Sequence, residues 1–355
     1  MQNQIPNNWQ KVRLGDALNL KYGFGLPEKE RTAGDFPVYG SSGVVGWHNK
    51  SGVNSEGLII GRKGNVGSVY YSDIPFFPID TVYYIDSLKI PGNLKFFYYL
   101  LKKIPFKRIG SDVGVPGLNR DLAYGLETVI PSDPKEQLRI SSFLSSFDDK
   151  IELNNKIEKT LEEMASSIFK EWFVKSTNNE KLIVKSGVIK DIAFVKTGNR
   201  PGKLTGKKEN EYKIPVYGAR EIMGYTNKPL YDKKIIITGR VGTIGEVYLV
   251  DGYSWPSDNA LIIYPRNDDY FYLLYFLTKK INYLSLNRGS SQPLIAQSDI
   301  ENYPIDLPDE TKIKEFNIIV SKLFLLKNNK ENENQKLAQM RDLLLPKLMK
   351  GEVRV

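Results

Sequence analysis

The chain has no cysteine and only one histidine, His48, among its 355 residues. Without cysteine there is no disulfide, no thiolate nucleophile and no cysteine-ligated zinc site. A single histidine cannot build a His-rich metal centre, and a Ser-His-Asp triad would have to use this one residue. The sequence therefore lacks most of the side chains around which hydrolytic and metal-dependent sites are built.

Long apolar runs are also missing. No stretch of about 18 apolar residues occurs, so no membrane-spanning helix is predicted. The first residues, MQNQIPNNWQ, lack the basic and apolar regions of a signal peptide. We therefore expect a cytoplasmic protein with no membrane partner.

The composition is that of a globular protein with a basic surface. Hydrophobic residues make up 41% of the chain, and 50 Lys and Arg against 41 acidic residues give a net charge of +9. The length allows two domains. The positive charge favours a polyanionic partner, nucleic acid first.

One segment of the sequence occurs twice. Residues 36–85 align without a gap on residues 214–263, and 18 of the 50 pairs are identical. The alignment places GRKGNVGSVY opposite GRVGTIGEVY. In both copies short β-branched and aromatic runs are separated by glycines, which predicts a mainly β domain. The sequence therefore predicts a duplicated domain.

Each copy is followed by a helical heptad pattern with a polar centre. The apolar positions of the first pattern are Ile140, Phe143, Phe147, Ile157, Leu161, Met164 and Ile168. A helix of 40 residues would be roughly 60 Å long, so the two are expected to pack antiparallel against each other, although either one could be a surface helix of its own domain. Their net charges are −2 for residues 134–174 and +3 for residues 309–350. The positive charge therefore lies mainly on the repeated domains.

The predicted fold is α+β, with two homologous mainly-β domains held apart by two long antiparallel, coiled-coil-like helices in a pseudo-twofold internal repeat. The predicted boundaries are residues 1–133 for the first domain, 134–174 for the first helix, 175–187 for a linker, 188–308 for the second domain, 309–350 for the second helix and 351–355 for a C-terminal tail.

This order of domain, helix, domain and helix resembles the specificity subunits of type I restriction–modification enzymes. Four phrases carry the resemblance: GRKGNVGSVYYSDIPFFPIDTVYYI, GLNRDLAYGLETVIPSDPKEQLRI, FDDKIELNNKIEKTLEEMASSIFKEWFV and LLLPKLMKGEVRV. The resemblance implies a non-catalytic subunit that binds double-stranded DNA, each domain reading one half of a bipartite, asymmetric target.

The resemblance also implies partners and cofactors. Two methylation subunits would dock on the helices, and two restriction subunits would join them to translocate and cut DNA. No cofactor is expected in this chain, while S-adenosylmethionine, ATP and Mg²⁺ are expected in the partner subunits.

Catalytic motifs are absent from the sequence. An adenine methyltransferase would need an Asn/Asp-Pro-Pro-aromatic motif, and no Pro-Pro pair occurs. GNRPGK, at residues 198–203, has the wrong spacing for a P-loop. A nuclease or methyltransferase acting alone is therefore disfavoured. Two alternatives stay open: a specificity subunit of a modification-only system, and a coiled-coil scaffold that binds protein.

Candidate DNA contacts lie in the loops and are mostly positions where the two copies differ, because shared residues cannot read different bases. Glycine-spaced turns that orient Arg62 and Arg240 are the structural alternative to a DNA contact, and an ordinary loop position is the alternative for His48. Shared lysines suit phosphate positioning. The loops at residues 110–119 and 288–292 are similar candidates for contact with DNA. The candidates are Ser41, Ser42, Trp47, His48, Lys50, Arg62, Lys63, Asn65, Arg220, Tyr225, Lys228, Arg240, Thr243, Arg288 and Ser290.

Asp80 and Asp258 occupy matching places, one in each copy, where capping or arginine bracing is favoured over metal chemistry. On the helices, a second set of residues is predicted to form the helix seam or a partner surface. These are Phe147, Asn154, Ile157, Leu161, Phe169, Trp172, Leu323, Leu337 and Leu344.

Overall fold

The fold is that of a computed structural model, which describes residues 5–108, 117–174 and 183–355. The chain divides into two compact units, one made of Met1–Asn154 with Asn332–Val355 and the other of Asn155–Glu331. Each unit contains one copy of the repeat together with a segment of each long helix. The predicted α+β fold with an internal repeat is confirmed.

The first unit begins with the first copy of the repeat. Its elements are β1 (Trp9–Arg13), α1 (Leu14–Ala17), β2 (Lys21–Tyr22), β3 (Phe36–Gly40), β4 (Gly43–His48), β5 (Gly57–Gly61), β6 (Val69–Ser72), β7 (Phe77–Pro78), β8 (Val82–Ile85), α2 (Leu94–Lys103), α3 (Arg120–Tyr124), β9 (Glu127–Pro131) and the start of α4 (Pro134–Phe173).

Three small sheets build this copy, with strand orders β2-β8-β5-β6, β4-β3-β7 and β1-β9. Every residue of the central strand β5 is buried, and β8 is buried throughout, as its unbroken apolar run requires. Helix α2 packs its aromatic face on this sheet, with Phe96 and Phe97 fully buried. The hydrophobic core therefore lies between the sheet and α2.

The second unit repeats the plan. Its elements are β10 (Ile183–Val188), α5 (Ile189–Ile192), β11 (Ala193–Thr197), β12 (Ile214–Tyr217), β13 (Ile222–Thr226), β14 (Tyr231–Asp232), β15 (Ile235–Gly239), β16 (Val247–Val250), β17 (Tyr253–Pro256), β18 (Ala260–Pro265), α6 (Phe271–Lys280), α7 (Gln297–Glu301), β19 (Pro304–Pro308) and the start of α8 (Glu310–Leu348).

Its sheets have the orders β11-β18-β15-β16, β13-β12-β17-β14 and β10-β19, so strand β14 is the one addition to the first copy's pattern. Strand β10 begins within the stretch that the sequence assigned to the linker and pairs antiparallel with β19. The part of that linker at residues 175–182 lies outside the described residues, as does most of the loop at 110–119.

Both long helices start at an aspartate that caps the first turn. Asp133 accepts a hydrogen bond from the Lys135 N–H at 2.9 Å, and Pro134 follows it at the first helical position. Asp309 accepts from the Thr311 N–H, also at 2.9 Å. These contacts satisfy amides that have no partner within the helix.

Within each unit the two helix segments run antiparallel. In the first unit Asp148 pairs with Arg341, and Lys150 lies 3.8 Å from Glu333. In the second unit Lys327 lies 3.4 Å from Glu162. The antiparallel packing predicted from the heptads is therefore present in each unit.

The seam of α4 differs in detail from the heptad prediction. Phe143 and Met164, which the pattern placed in the seam, are 37% and 48% exposed, while Leu144 and Ala165 beside them are fully buried. Leu144 belongs to the core of the first unit and Ala165 to that of the second, so the buried face of α4 includes positions one residue beyond the predicted ones.

Candidate nucleic-acid interface

The repeated glycine phrase forms the same turn in both units. In the first, Gly64 and Gly67 have φ angles of 72° and 76°, where side chains with a Cβ are strained. A Cβ on Gly61 would lie 2.2 Å from the carbonyl oxygen of Asn65. The glycines are therefore required by the turn itself.

In the second unit the same conformation recurs. Gly242 and Gly245 have φ angles of 77° and 86°, and a Cβ on Gly239 would lie 1.8 Å from the Thr243 carbonyl oxygen. The turn presents Thr243 to solvent. The shared motif thus forms the same turn in both units, and the two units carry different side chains on it.

The turn between β3 and β4 packs against this glycine loop. The Ser41 hydroxyl accepts from the Asn65 N–H at 3.4 Å, and the Ser68 hydroxyl donates to the Ser41 carbonyl at 2.6 Å. Ser42, Lys63 and Asn65 are exposed beside this contact. The structure therefore brings four predicted DNA contacts onto one surface.

The corresponding surface of the second unit joins three loops. The Gly242 N–H donates to the Pro293 carbonyl at 2.9 Å, which holds the loop at 287–293, with exposed Ser290, against the glycine loop. Arg220 lies 3.4 Å from Glu246, and Arg288 pairs with Asp299. Arg220 and Arg288, two of the three arginines predicted in this unit, therefore have carboxylate partners.

A second group of predicted contacts lies at the other end of the β3–β4 hairpin. Trp47 is 53% exposed and Lys50 is exposed. Strand β4 separates them from the turn at residues 41–42 by about 15 Å at ~3.3 Å per residue. In the second unit Lys228 is exposed and Tyr225 is half-buried. The candidates thus form two groups in each unit.

His48 does not face solvent. It is buried, its Nδ1 accepts from the Thr32 N–H at 3.0 Å, and its ring packs edge-on against Phe77 at 5.7 Å between centroids. With these contacts the side chain stabilises the hairpin from inside. The geometry gives no support to base reading by His48, and its buried place at the end of strand β4 also differs from the ordinary loop position that was the alternative.

Arg62 is held by aromatic rings. Its guanidinium carbon lies 5.3 Å from the Tyr22 ring centre and 5.9 Å from that of Tyr83, and its Nη2 donates to the Asp80 carbonyl at 2.6 Å. The predicted bracing thus uses the backbone of Asp80, whereas the carboxylate takes no part in it. Arg240 makes no comparable ring contact among the described residues.

Sequence reasoning missed Tyr22 and Arg120. The Arg120 guanidinium carbon lies 5.1 Å from the Tyr22 ring centre. Burial and the hydrogen bond with Tyr22 raise the pKa of Tyr83 to about 12, against the opposing effect of the two arginines. Arg120 lies in the segment GLNRD, directly after the helix-capping Asn119. An arginine beside a helix cap was the feature of the sequence that could have indicated this position.

The predicted helix residues are all buried or half-buried. Phe147 is buried, and buried Asn154 donates to the Asn334 side-chain oxygen at 2.9 Å. Phe169 stacks on Phe276 at 5.2 Å and Trp172 contacts Phe316. The remaining members are half-buried: Ile157, Leu161, Leu323, Leu337 and Leu344.

Within residues 5–108, 117–174 and 183–355, no group of three or more His, Asp or Glu side chains is arranged to hold a metal ion. No helix in the same ranges is long and apolar enough to span a bilayer.

Comparison with known proteins identifies the repeat. The family model for the type I restriction modification DNA specificity domain matches twice, at residues 6–163 and 184–341. The MjaIX specificity subunit of Methanocaldococcus jannaschii is 28% identical over 303 residues, 74% of this chain and 69% of that protein. The HindI specificity subunit of Haemophilus influenzae is 42% identical over 59 residues, 17% of this chain and 13% of that one.

Among solved structures, the S subunit of a type I restriction–modification system from M. genitalium superimposes with a TM-score of 0.66 at 20% identity, covering 98% of this chain and 97% of that one. This likeness confirms the fold. The family match covers both repeats and confirms the predicted role in DNA recognition, as opposed to catalysis or protein scaffolding. The chain therefore belongs to the type I restriction–modification DNA specificity family and carries two copies of its domain.

Proposed function

We propose that each unit reads one half of a bipartite, asymmetric DNA target. One observation carries this proposal: the two units share the glycine turn and its backbone contacts but display different side chains on it. Lys63 and Asn65 in the first unit occupy the places of Val241 and Thr243 in the second. Side chains on base edges supply specificity, whereas shared backbone and lysine contacts position the duplex.

Modification-sensitive sequencing of genomic DNA from strains with and without this gene tests the proposal. Loss of methylation at one two-part motif is the expected result. Methylation that persists at every motif in the deletion strain would contradict the proposal.

A loop exchange tests the assignment of the halves. Lys63→Val together with Asn65→Thr gives the first glycine turn the side chains of the second. We expect one half of the methylated motif to change or lose stringency while the other half is kept. The reciprocal pair, Val241→Lys with Thr243→Asn, is the matched variant and should alter the opposite half. Equal changes in both halves from either variant would contradict separate reading.

Methylation subunits are proposed to dock on the long helices. Large apolar side chains are exposed on α4 and α8 in both units, and such side chains are typical of protein interfaces. In the first unit they are Leu138, Phe143, Leu153, Met340 and Leu343, and in the second Met164, Ile318, Ile319, Leu325 and Leu326.

The chemistry is proposed to belong to the partner subunits, which would hold S-adenosylmethionine, ATP and Mg²⁺. Equilibrium dialysis of S-adenosylmethionine against the chain alone and against its co-purified complex tests this. Binding by the complex alone is expected, and binding by the isolated chain would overturn the proposal.

A further inference from the structure

Two arginines share one aromatic ring on the surface of the first unit. The guanidinium carbons of Arg62 and Arg120 lie 5.3 Å and 5.1 Å from the Tyr22 ring centre, and Tyr22 is 49% exposed. Arg62 follows β5, Arg120 opens α3 and Tyr22 ends β2, so three separate elements converge here. Ring contacts of this kind hold a guanidinium in a fixed orientation.

Among residues 5–108, 117–154 and 332–355 of this unit, the two charges have no counter-ion. Among the described residues, no carboxylate lies within 4.0 Å of the Arg62 or Arg120 guanidinium, and both Nε atoms are buried without a hydrogen-bond partner. The contact of Arg62 with the Asp80 carbonyl leaves its charge intact. The two guanidinium carbons are at most about 10 Å apart, and an anion between or beside them would relieve their repulsion.

Three arginines elsewhere in the chain are neutralised by carboxylates. Arg220 and Arg288 in the second unit, and Arg341 in the first, each have a carboxylate partner. Arg62 and Arg120, in contrast, are oriented by aromatic rings and have no carboxylate partner among the described residues. Paired arginines oriented in this way suit the oxygens of a phosphate, which accept several N–H donors at once.

The second unit lacks this arrangement. Tyr22 pairs with Tyr83 across β2 and β8, and the matching pair in β11 and β18 is Thr197 with Leu261. At the start of α7 the place of Arg120 is taken by Gln297. Arg240 alone remains. The shared fold therefore forms without the stack, which argues that the stack serves something other than folding.

We propose that Arg62, Tyr22 and Arg120 form a binding site for a phosphate of the DNA backbone, present in the first unit and absent from the second. The proposal rests on the DNA-reading function above. It predicts that the first unit contributes more of the salt-dependent affinity than the second, because each neutralised phosphate releases condensed counter-ions.

The salt dependence of binding by the full chain tests this proposal. Binding to a labelled 30-base-pair duplex of arbitrary sequence is measured by fluorescence anisotropy over a range of salt concentrations. Arg120→Gln, which installs the residue of the second unit, should lower the log–log slope by about 0.9, the loss expected for one phosphate contact. Arg120→Lys should keep the slope, and thermal melting checks that each variant is folded.

Arg266→Gln is the matched control. Arg266 also lies over a ring, 4.0 Å from the Phe194 centroid, and contacts a backbone carbonyl, but it follows the end of β18 that is distant from the glycine turn. Its slope should equal that of the unchanged chain. If Arg120→Gln has a lower melting temperature than the unchanged chain, the salt dependence of binding is measured on Tyr22→Thr in its place.

The outcomes separate the two proposals. A full chain that binds no duplex at any salt concentration would contradict DNA reading altogether. A full chain that binds DNA, with a slope that Arg120→Gln leaves unchanged or that Arg266→Gln lowers equally, would overturn the phosphate site alone.

Discussion

Individual glycines in the repeated turn carry conformations that no other residue adopts without strain. Gly67 has a φ of 76°, and a Cβ there would also lie 2.5 Å from the Phe106 Cβ. Gly67→Ala should therefore reduce the free energy of unfolding by about 1–3 kcal/mol, measured by urea denaturation. Gly25→Ala, where a Cβ meets nothing within 4 Å, is the control and should be neutral or slightly stabilising. A loss at Gly25 as large as that at Gly67 would contradict the argument.

At the same scale, the sequence predicted which residues mattered for the turn but not where every side chain would point. Spacing alone indicated the glycines, because their requirement is local. The burial of His48 depends on Thr32 and Phe77, and the contact of Arg62 and Arg120 with Tyr22 depends on strand pairing between distant segments. Such contacts follow from tertiary structure, which periodicity does not describe.

Among the elements, the helix segments of each unit are tied to the recognition domain by a carboxylate on α4. In the second unit Glu162 accepts from the Tyr275 hydroxyl at 3.1 Å and lies 2.6 Å from Lys279 on α6, while Lys327 on α8 lies 3.4 Å away. In the first unit Asp148 accepts from the Tyr99 hydroxyl at 2.6 Å and pairs with Arg341. One acidic side chain thus joins three elements in each case.

The Glu162 contacts predict a pH-dependent stability. Burial alone would raise the pKa of Glu162, but the hydrogen bond and charge of Lys279, with the charge of Lys327, lower it overall. A lowered folded pKa means that the contribution is complete above the usual glutamate pKa of about 4.3 and disappears as the pH falls through the folded value. Glu162→Gln should therefore cost about 1–2 kcal/mol at pH 7 and progressively less below pH 4.

Urea denaturation at pH 7, 5, 4 and 3 measures this difference. The neighbouring Glu163→Gln is the control, because Glu163 is exposed and, among the residues that the structure describes, its ion pair is the one with Lys159 at 3.8 Å. Its effect should stay below about 0.5 kcal/mol at every pH. A cost for Glu162→Gln that does not change between pH 7 and 3 would count against the ion-pair explanation.

A pair of asparagines at the centre of the helix seam is expected to lower the free energy of unfolding and to fix the register of the two helices. Asn154 is fully buried, donates to Asn334 at 2.9 Å and leaves its own oxygen without a partner. Replacing both residues by leucine should raise the free energy of unfolding by about 1–3 kcal/mol, since an unsatisfied buried oxygen is removed. Hydrogen exchange along α4 and α8 should then show more than one register. Reduced stability in the double variant would contradict this account.

For the molecule as a whole, the fold class and family were predictable because duplication leaves a pattern that survives divergence. The order of strands within each sheet was not, since short runs such as Phe77–Pro78 or Tyr231–Asp232 join their sheets only through distant partners. The heptads predicted both long helices. They did not predict which of two adjacent apolar residues is buried, as Leu144 and Ala165 show beside the exposed Phe143 and Met164.

The proposed function also predicts the effect of helix length on the DNA target. Removing seven residues from 151–159 and seven from the opposed stretch 327–336 shortens both helices by about 10 Å while nearly keeping their faces, because seven residues make close to two turns. The gap between the methylated half-sites should shrink by about 3 base pairs at 3.4 Å each. Methylation-sensitive sequencing of a strain that carries the variant measures this gap, and an unchanged gap would exclude the helices as the determinant of spacing.

The discontinuous composition of the first unit has a consequence for biosynthesis. Its core includes Leu348 and Met349, which the ribosome adds some 200 residues after the first domain has emerged. At about 5–20 residues per second, the nascent first domain waits roughly 10–40 s for the segment that closes its core. A prematurely terminated chain would expose that apolar surface to proteases and chaperones. The stability of the first unit therefore depends on completed translation of the second unit and of the end of α8.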